Sequence, residues 1–256
     1  MHDMREIIIK KLDETEADED VKILYCAESG SRAWGFASPD SDYDVRFVYL
    51  RKREFYLRLD RTRDVIDRQL DEVFDINGWD IQKTLKLLHS SNPTIFEWAG
   101  SPIVYRETEE WKKIRGILGG YFSPVTAAHH YLSMAHNHNK VYLGKETVSP
   151  KKYFYVLRQL LACKYVLENK CPPPIPFSEL AEAGLDPAVK PYTDRLLELK
   201  TSTPELQKVE RIVPLHRYIS EMFEYLDAEI VSAKPVKRDW DELNSIFFEL
   251  TDKNIG

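Results

Sequence analysis

Two short apolar runs, Ile23-Leu24-Tyr25-Cys26-Ala27 and Val45-Arg46-Phe47-Val48-Tyr49-Leu50, stand out from polar surroundings. Both are rich in β-branched and aromatic residues, so both predict strands. Ahead of them, residues 4–19 place Met4, Ile7 or Ile8, and Leu12 at helical spacing, and the acidic stretch Asp13 to Asp20 reads as a solvated helix end. Residues 64–77 alternate with period two, with Ile66, Leu70, Phe74 and Ile76 on one face and Asp67, Gln69, Asp71 and Asp75 on the other. This pattern predicts a long strand or a hairpin. Asp80 predicts the N-cap of a helix over Ile81 to His89, and Asn92-Pro93 opens another. The alternation of strand and helix ends near Pro102, and from Thr108 onward the pattern is almost all helical. Ser123-Pro124 starts a helix to about Leu143, closed by Gly144, and Lys151 to Leu167 forms a strongly apolar helix. Leu215, Ile219, Met222 and Leu226 share one face, as do Trp240, Leu243, Phe247 and Leu250, and both stripes predict core. The pattern as a whole predicts an α+β fold whose strand-bearing part gives way, around 103–122, to a helical part, drawn as domains 1–110 and 111–256.

Composition narrows the class. Hydrophobic and charged shares of 43% and 30% suit a soluble globular chain. No apolar run approaches membrane-spanning length and the polar opening Met-His-Asp-Met-Arg-Glu does not read as a leader, so no membrane partner and a cytoplasmic location are expected. The cysteines Cys26, Cys163 and Cys171 lack metal-ligand spacing, and the first two read as small hydrophobic fillers. Net charge is −6. A chain that holds nucleic acid non-specifically is usually basic, so a protein or small-molecule acceptor has to be weighed beside RNA.

The candidate chemistry lies between the two apolar runs. Glycine and serine, Gly30-Ser31, end the first, and Asp42 and Asp44 open the second. Residues i and i+2 of a strand share a face, which sets two carboxylates side by side. Their repulsion is relieved by a hard divalent cation, and Mg²⁺ takes one or two carboxylates together with substrate phosphates. Gly30-Ser31 offers backbone N–H groups and a hydroxyl to a phosphate. Lys83, in the first turn of its helix, is a candidate for the same phosphates, as is Arg32 or Arg46. Arg46 is equally placed to act as a counter-charge to the aspartates. His129, His130, His136 and His138 share one helix without a known zinc spacing, which favours ordinary polar contacts.

Gly30-Ser31, ten residues, then Asp42-Tyr43-Asp44 resembles the signature of the DNA polymerase β-like nucleotidyltransferase superfamily. The wider wording, Glu28 to Gly35 and Ser38 to Arg46, is similar to one branch, the YcgL-like or RNA repair pathway DNA polymerase β family. Further similarity runs through Gly78 to Lys83, Ser91 to Trp98 and Lys152 to Arg158. The resemblance implies a mixed sheet with helices on one side, Mg²⁺ or Mn²⁺ held by Asp42 and Asp44, and an NTP substrate, ATP included. It also implies a third carboxylate on a neighbouring strand. The residues leave Asp67, Asp71, Glu72 and Asp75 as candidates, and the resemblance favours Asp75, just before the next helix. It makes Arg158 part of the pattern, as a phosphate ligand from the helical part. The implied reaction moves a nucleoside monophosphate to an acceptor hydroxyl, an RNA 3′ end being the family's suggestion. Alternatives are a protein or small-molecule acceptor, and a non-catalytic nucleotide-sensing module.

Overall fold

The computed structural model describes residues 3–202, 208–230 and 238–252. The chain begins with α1 (Met4–Glu19), β1 (Val21–Glu28), α2 (Gly30–Ala33), β2 (Tyr43–Arg51), α3 (Arg53–Tyr56), β3 (Val65–Leu70) and β4 (Phe74–Asp80). It continues with α4 (Ile81–His89), α5 (Pro93–Ala99), β5 (Val104–Glu107), α6 (Glu109–Tyr121) and α7 (Pro124–His138), which runs on as a π-helix over Asn139–Leu143. There follow β6 (Thr147–Val148), α8 (Pro150–Asn169), α9 (Phe177–Gly184), α10 (Lys190–Ser202), β7 (Val209–Glu210), α11 (Val213–Ile230) and α12 (Asp241–Asp252). Among the described residues no helix is long and apolar enough to cross a membrane.

The chain divides into two compact units, each assembled from separate stretches, whereas the sequence pattern drew a single cut at 110/111. The first unit is Met1–Gly30, Asp42–Tyr121 and Lys237–Gly256. It holds a mixed five-stranded sheet in the order β3-β4-β2-β1-β5, in which only β2 and β4 are parallel. Ile8 and Leu12 of α1 pack with Ile23, Cys26, Val45, Phe47 and Ile76 on one face of this sheet. Tyr25, the neighbour of Cys26 and so on the other face, stacks on Trp111 of α6 with ring centroids 4.5 Å apart. Its hydroxyl donates to the carbonyl of Trp98 in α5 at 2.8 Å. The α+β class therefore stands, with helices against both faces rather than one.

Two local readings also change. The segment 64–77 is a hairpin. Asp71 caps its turn by accepting from the backbone N–H groups of Val73 and Phe74 at 2.8 and 2.7 Å. A register shift between Asp67 and Gln69 breaks the period, and Leu70, expected inside, is 82% exposed. A fifth strand, β5, follows Pro102, too short for its alternation to show, and pairs with β1. The expected helix starts hold: Asp80 accepts from Gln82 N at 2.7 Å and Asn92 from Thr94 N at 2.9 Å. Phe96 and Trp98 are buried, as are Leu215, Ile219, Met222 and Leu226, whereas Trp240 is half exposed and stacks on His89 at 3.5 Å.

The second unit is Ser31–Ser41 and Phe122–Val236. Its centre is α8, which buries Phe154, Leu157, Leu160, Leu161 and Val166 all round its axis, the mark of a core helix. The segment Ser31–Ser41 is tied into this core. Phe36 stacks on Phe154 with centroids 4.9 Å apart and meets Phe177 edge-on at 6.0 Å, while Phe177 N donates to the carbonyl of Trp34 at 2.9 Å.

Candidate active site

The site in the first unit is built where β1, β2 and β4 lie side by side. Gly30, separated from the end of β1 by Ser29 alone, has φ +57°, a left-handed conformation that favours glycine. A Cβ at this position would run into the Asp44 carboxylate. Gly30 is thus glycine for two reasons, and its backbone lies directly against Asp44. Asp44 stands in β2 and is the register partner of Asp75 in the parallel β4. Two carboxylates on adjacent strands would repel, and Arg46 resolves this. Its Nη2 donates to Asp44 Oδ1 at 3.0 Å and Asp75 Oδ2 at 2.6 Å, and its Nη1 donates to the Asp75 carbonyl at 2.7 Å. Arg46 is therefore the counter-charge of the pair. Asp75 lies at the start of β4, six residues before Ile81 opens α4, rather than at the strand's end.

Asp42 sits one residue ahead of β2, half-buried, because regular strand begins only at Tyr43. Among the described residues no cluster of three or more His, Cys, Asp or Glu side chains is gathered as for a metal. The donor set still suits a hard divalent cation. Asp44 and Asp75 already direct oxygens at one shared cation, and one or two carboxylates suffice for Mg²⁺ when substrate phosphates supply the rest.

Two of the other acidic candidates, Asp71 and Asp67, are committed elsewhere. Asp71 holds the hairpin turn, and the Phe74 N–H keeps its carboxyl below the usual range. Asp67 accepts from Arg63 and Asn77. Lys83 pairs with Asp64 at 3.1 Å at the far end of β4 from Asp75, so the fold does not bring it to the aspartates.

A further carboxylate went unnoticed in the sequence. Glu28, 1% exposed at the end of β1, accepts from the Asp44 N–H at 2.8 Å and from the Tyr105 hydroxyl. Burial and that carboxylate push the Tyr105 hydroxyl pKa upward. Ser29 N donates to the Asp44 carbonyl at 2.8 Å, so the backbone of Asp44 is held through both its N–H and its C=O. The signal for Glu28 was its place two residues before Gly30, but a strand-end glutamate has no distinctive spacing of its own.

The remaining expected ligands belong to the second unit. Ser31, next in the chain after Gly30, is buried and accepts from Phe36 N at 3.0 Å through its carbonyl. Arg32 Nη2 donates to the Ser41 carbonyl at 2.6 Å, which ties the two ends of the segment together. Arg158, fully buried, places its guanidinium carbon 4.5 Å from the Trp34 ring centroid. Lys200 of α10, also missed, is 2% exposed and donates to Ser38 Oγ at 2.8 Å and Ser41 Oγ at 3.4 Å. Its trace in the sequence was a lysine on the buried stripe of Thr193 and Leu196. The serines of Ser38-Pro39-Asp40-Ser41 thus serve a buried ammonium. The helix with four histidines gathers no metal set among the described residues; His136 instead pairs with Asp227 at 3.1 Å and stacks on Phe223.

Comparison with known proteins bears on this arrangement. A family model described as "RNA repair pathway DNA polymerase beta family" matches residues 4–249. A Bacillus subtilis (strain 168) protein named "Uncharacterized protein YcgL" is 40% identical over 256 residues, covering 98% of this chain and 97% of that protein.

Proposed function

The chain belongs to the RNA repair pathway DNA polymerase beta family, and from that premise we propose that it transfers a nucleoside monophosphate from an NTP to an acceptor hydroxyl, that of an RNA 3′ end. The family points to a nucleotidyltransferase-like enzyme. The observation that carries the rest is the Asp44–Asp75 pair, aimed at one cation with the Gly30 backbone closed against it. In this reading Asp42, Asp44 and Asp75 would hold Mg²⁺ or Mn²⁺, which would lower the pKa of the attacking hydroxyl and balance charge on the leaving pyrophosphate. Gly30 and Ser31 present backbone N–H groups to the triphosphate. Glu28 and Tyr105 keep Asp44 in register, because a ligand carboxylate is only as well placed as the backbone carrying it. Arg46 neutralises the aspartates before substrate arrives and would share the incoming phosphate charge afterwards. Arg158 and Arg32 act through the Ser31–Ser41 segment they brace, and Lys83 is the least supported of the phosphate ligands because Asp64 holds it elsewhere.

The test is transfer of α-labelled nucleotide from each of the four NTPs, with and without Mg²⁺, to an RNA pool, a tRNA pool and a cell lysate. Label should pass to RNA and vanish when Asp42 and Asp44 are both changed to Asn. Label on a protein or small molecule would keep the reaction and replace the acceptor, an outcome the net charge of −6 makes worth the lysate arm. Transfer that survives the double substitution would overturn the assignment of the site.

A further inference from the structure

The second unit carries an aromatic and cationic cluster that nothing in the site above requires. It forms where α7 passes into the π-helix and meets the first turns of α8. Tyr142 and Tyr155 have ring centroids 6.4 Å apart, and His138 lies 5.7 Å from the first and 5.5 Å from the second. The Lys152 ammonium is 4.0 Å from the Tyr142 centroid and 4.9 Å from that of Tyr155, and Lys151 lies 5.9 Å from Tyr155. All five side chains are half-buried, partly open to solvent and partly fixed by their neighbours.

The charge here opposes that of the whole chain. Residues 138–152 contain Lys140, Lys145, Lys151 and Lys152 against one acid, Glu146, in a protein whose net charge is −6. Lys140 and Lys145 are exposed. The winding is unusual as well. A π-helix is rare, occurs mostly as a single turn within an α-helix and is frequent at functional sites, and this one carries Tyr142. Finally, the cluster is continuous with the segment that follows Gly30-Ser31, because Tyr155 meets Trp34 edge-on at 6.0 Å.

From these observations we propose that His138, Tyr142, Tyr155, Lys151 and Lys152 form a binding site for single-stranded RNA, the acceptor strand of the reaction proposed above, on which this inference rests. Aromatic faces beside lysines are what an unpaired strand needs: bases stack on the rings and phosphates lie against the ammonium groups. A quaternary ammonium would be repelled by the four lysines, and an acidic peptide would leave the rings unused. Lys152 holds both rings in place before a base arrives, so little ordering is left for binding to impose.

The experiment measures fluorescence anisotropy of a 5′-labelled single-stranded RNA at several salt concentrations without NTP, with circular dichroism and thermal melting to verify the fold of each variant. Tyr142→Ala should weaken binding about tenfold, the loss of one stacked base, while Tyr142→Phe, which keeps the ring, should bind like the wild type. Lys152→Gln should lower the slope of log affinity against log salt by about 0.7, one phosphate contact on a single strand. Duplex RNA should compete poorly, since its bases are already stacked. Asp42→Asn/Asp44→Asn should bind RNA unchanged, which separates this site from the chemistry. Wild-type affinity in folded Tyr142→Ala and Lys152→Gln, or equal binding of duplex, would overturn the proposal even if nucleotidyl transfer were demonstrated. Ring-dependent binding without any transfer would support this site and count against the reaction.

Discussion

At the residue scale the site depends on one contact, the Gly30 backbone against Asp44. Gly30→Ala adds a left-handed alanine, a cost of about 1 kcal/mol, and a methyl group where the Asp44 carboxylate lies. The aspartate must turn away from Arg46 and Asp75. We expect a small loss of stability in urea, and a fall in transfer of about 100-fold for a misplaced ligand of this kind. Near-normal transfer would mean that Asp44 does not act from the position observed. Arg46→Gln tests the counter-charge. It leaves Asp44 facing Asp75 without a cation, which should cost about 2–3 kcal/mol for a partly buried pair. A divalent ion that binds only the folded chain should then restore stability. The expected result is a melting temperature below wild type in EDTA that rises more steeply with Mn²⁺ than the wild type's does. Equal Mn²⁺ responses would argue against Asp44 and Asp75 as ligands. The sequence showed the residue types of this site through local spacing, since Gly30-Ser31 and Asp42-Tyr43-Asp44 are close in the chain. It did not show Glu28, Tyr105 or Lys200, because the partner of each (the Asp44 N–H, the Glu28 carboxylate and the Ser38 hydroxyl) is brought to it from elsewhere in the chain, and such pairings leave no period to read.

At the scale of elements, the parallel pairing of β2 with β4 does most of the positioning. It sets Asp44 beside Asp75 at one end and Tyr49 beside Asp80 at the other. Alternation alone identified the 64–77 strands but not the turn at Asp71, and a hairpin reverses the chain where a single strand would continue. Asp75, which the resemblance favours as the third carboxylate, adjoins Asp44 from the start of its strand. The other end of β4 has its own electrostatics. Asp80 caps α4, accepts from Tyr56 at 2.9 Å and is 2% exposed, and burial pushes its carboxyl up to about 6. Arg51 opposes this shift and Asp64 adds to it. Its folded pKa lies above the unfolded value near 4, so the folded state holds the extra proton between them. Stability from this group is therefore greatest below about pH 4 and is lost as pH rises toward 6, at up to about 1.4 kcal/mol per pH unit. Asp80→Asn keeps an oxygen for the Gln82 N–H, removes the charge and turns an amide NH₂ toward the Tyr56 hydroxyl, whose oxygen can accept from it. In urea titrations from pH 4 to pH 7, the variant should lose this downward slope and equal or exceed wild-type stability at neutral pH. A slope unchanged by the substitution would show that Asp80 is not its source.

At the scale of the molecule, the two units interleave along the chain. The segment between Gly30 and Asp42 is part of the second unit's core, while α12, near the other end of the chain, joins the first. A hydrophobic stripe in sequence says that a helix will be buried but not against what, which is why Leu243 and Leu250 read as core without revealing their neighbours. In the structure α12 packs on α4. Phe247 meets Tyr56 edge-on at 5.1 Å, Trp240 stacks on His89, and Glu249 and Asp252 pair with Lys113 and Arg53. The units should respond separately to damage on this basis. Leu243 is 2% exposed, and Leu243→Ala leaves a cavity that should cost about 2–4 kcal/mol. Hydrogen exchange should then quicken in α12 and α4, and in the sheet they cover, while α8 and α11 keep their protection, because local opening follows cooperative units. Exchange that rises equally in α8 would mean that the chain opens as a single body, and that the aromatic anchoring of Ser31–Ser41 couples the helical core to the strand carrying Asp44 more strongly than either unit's own packing divides them.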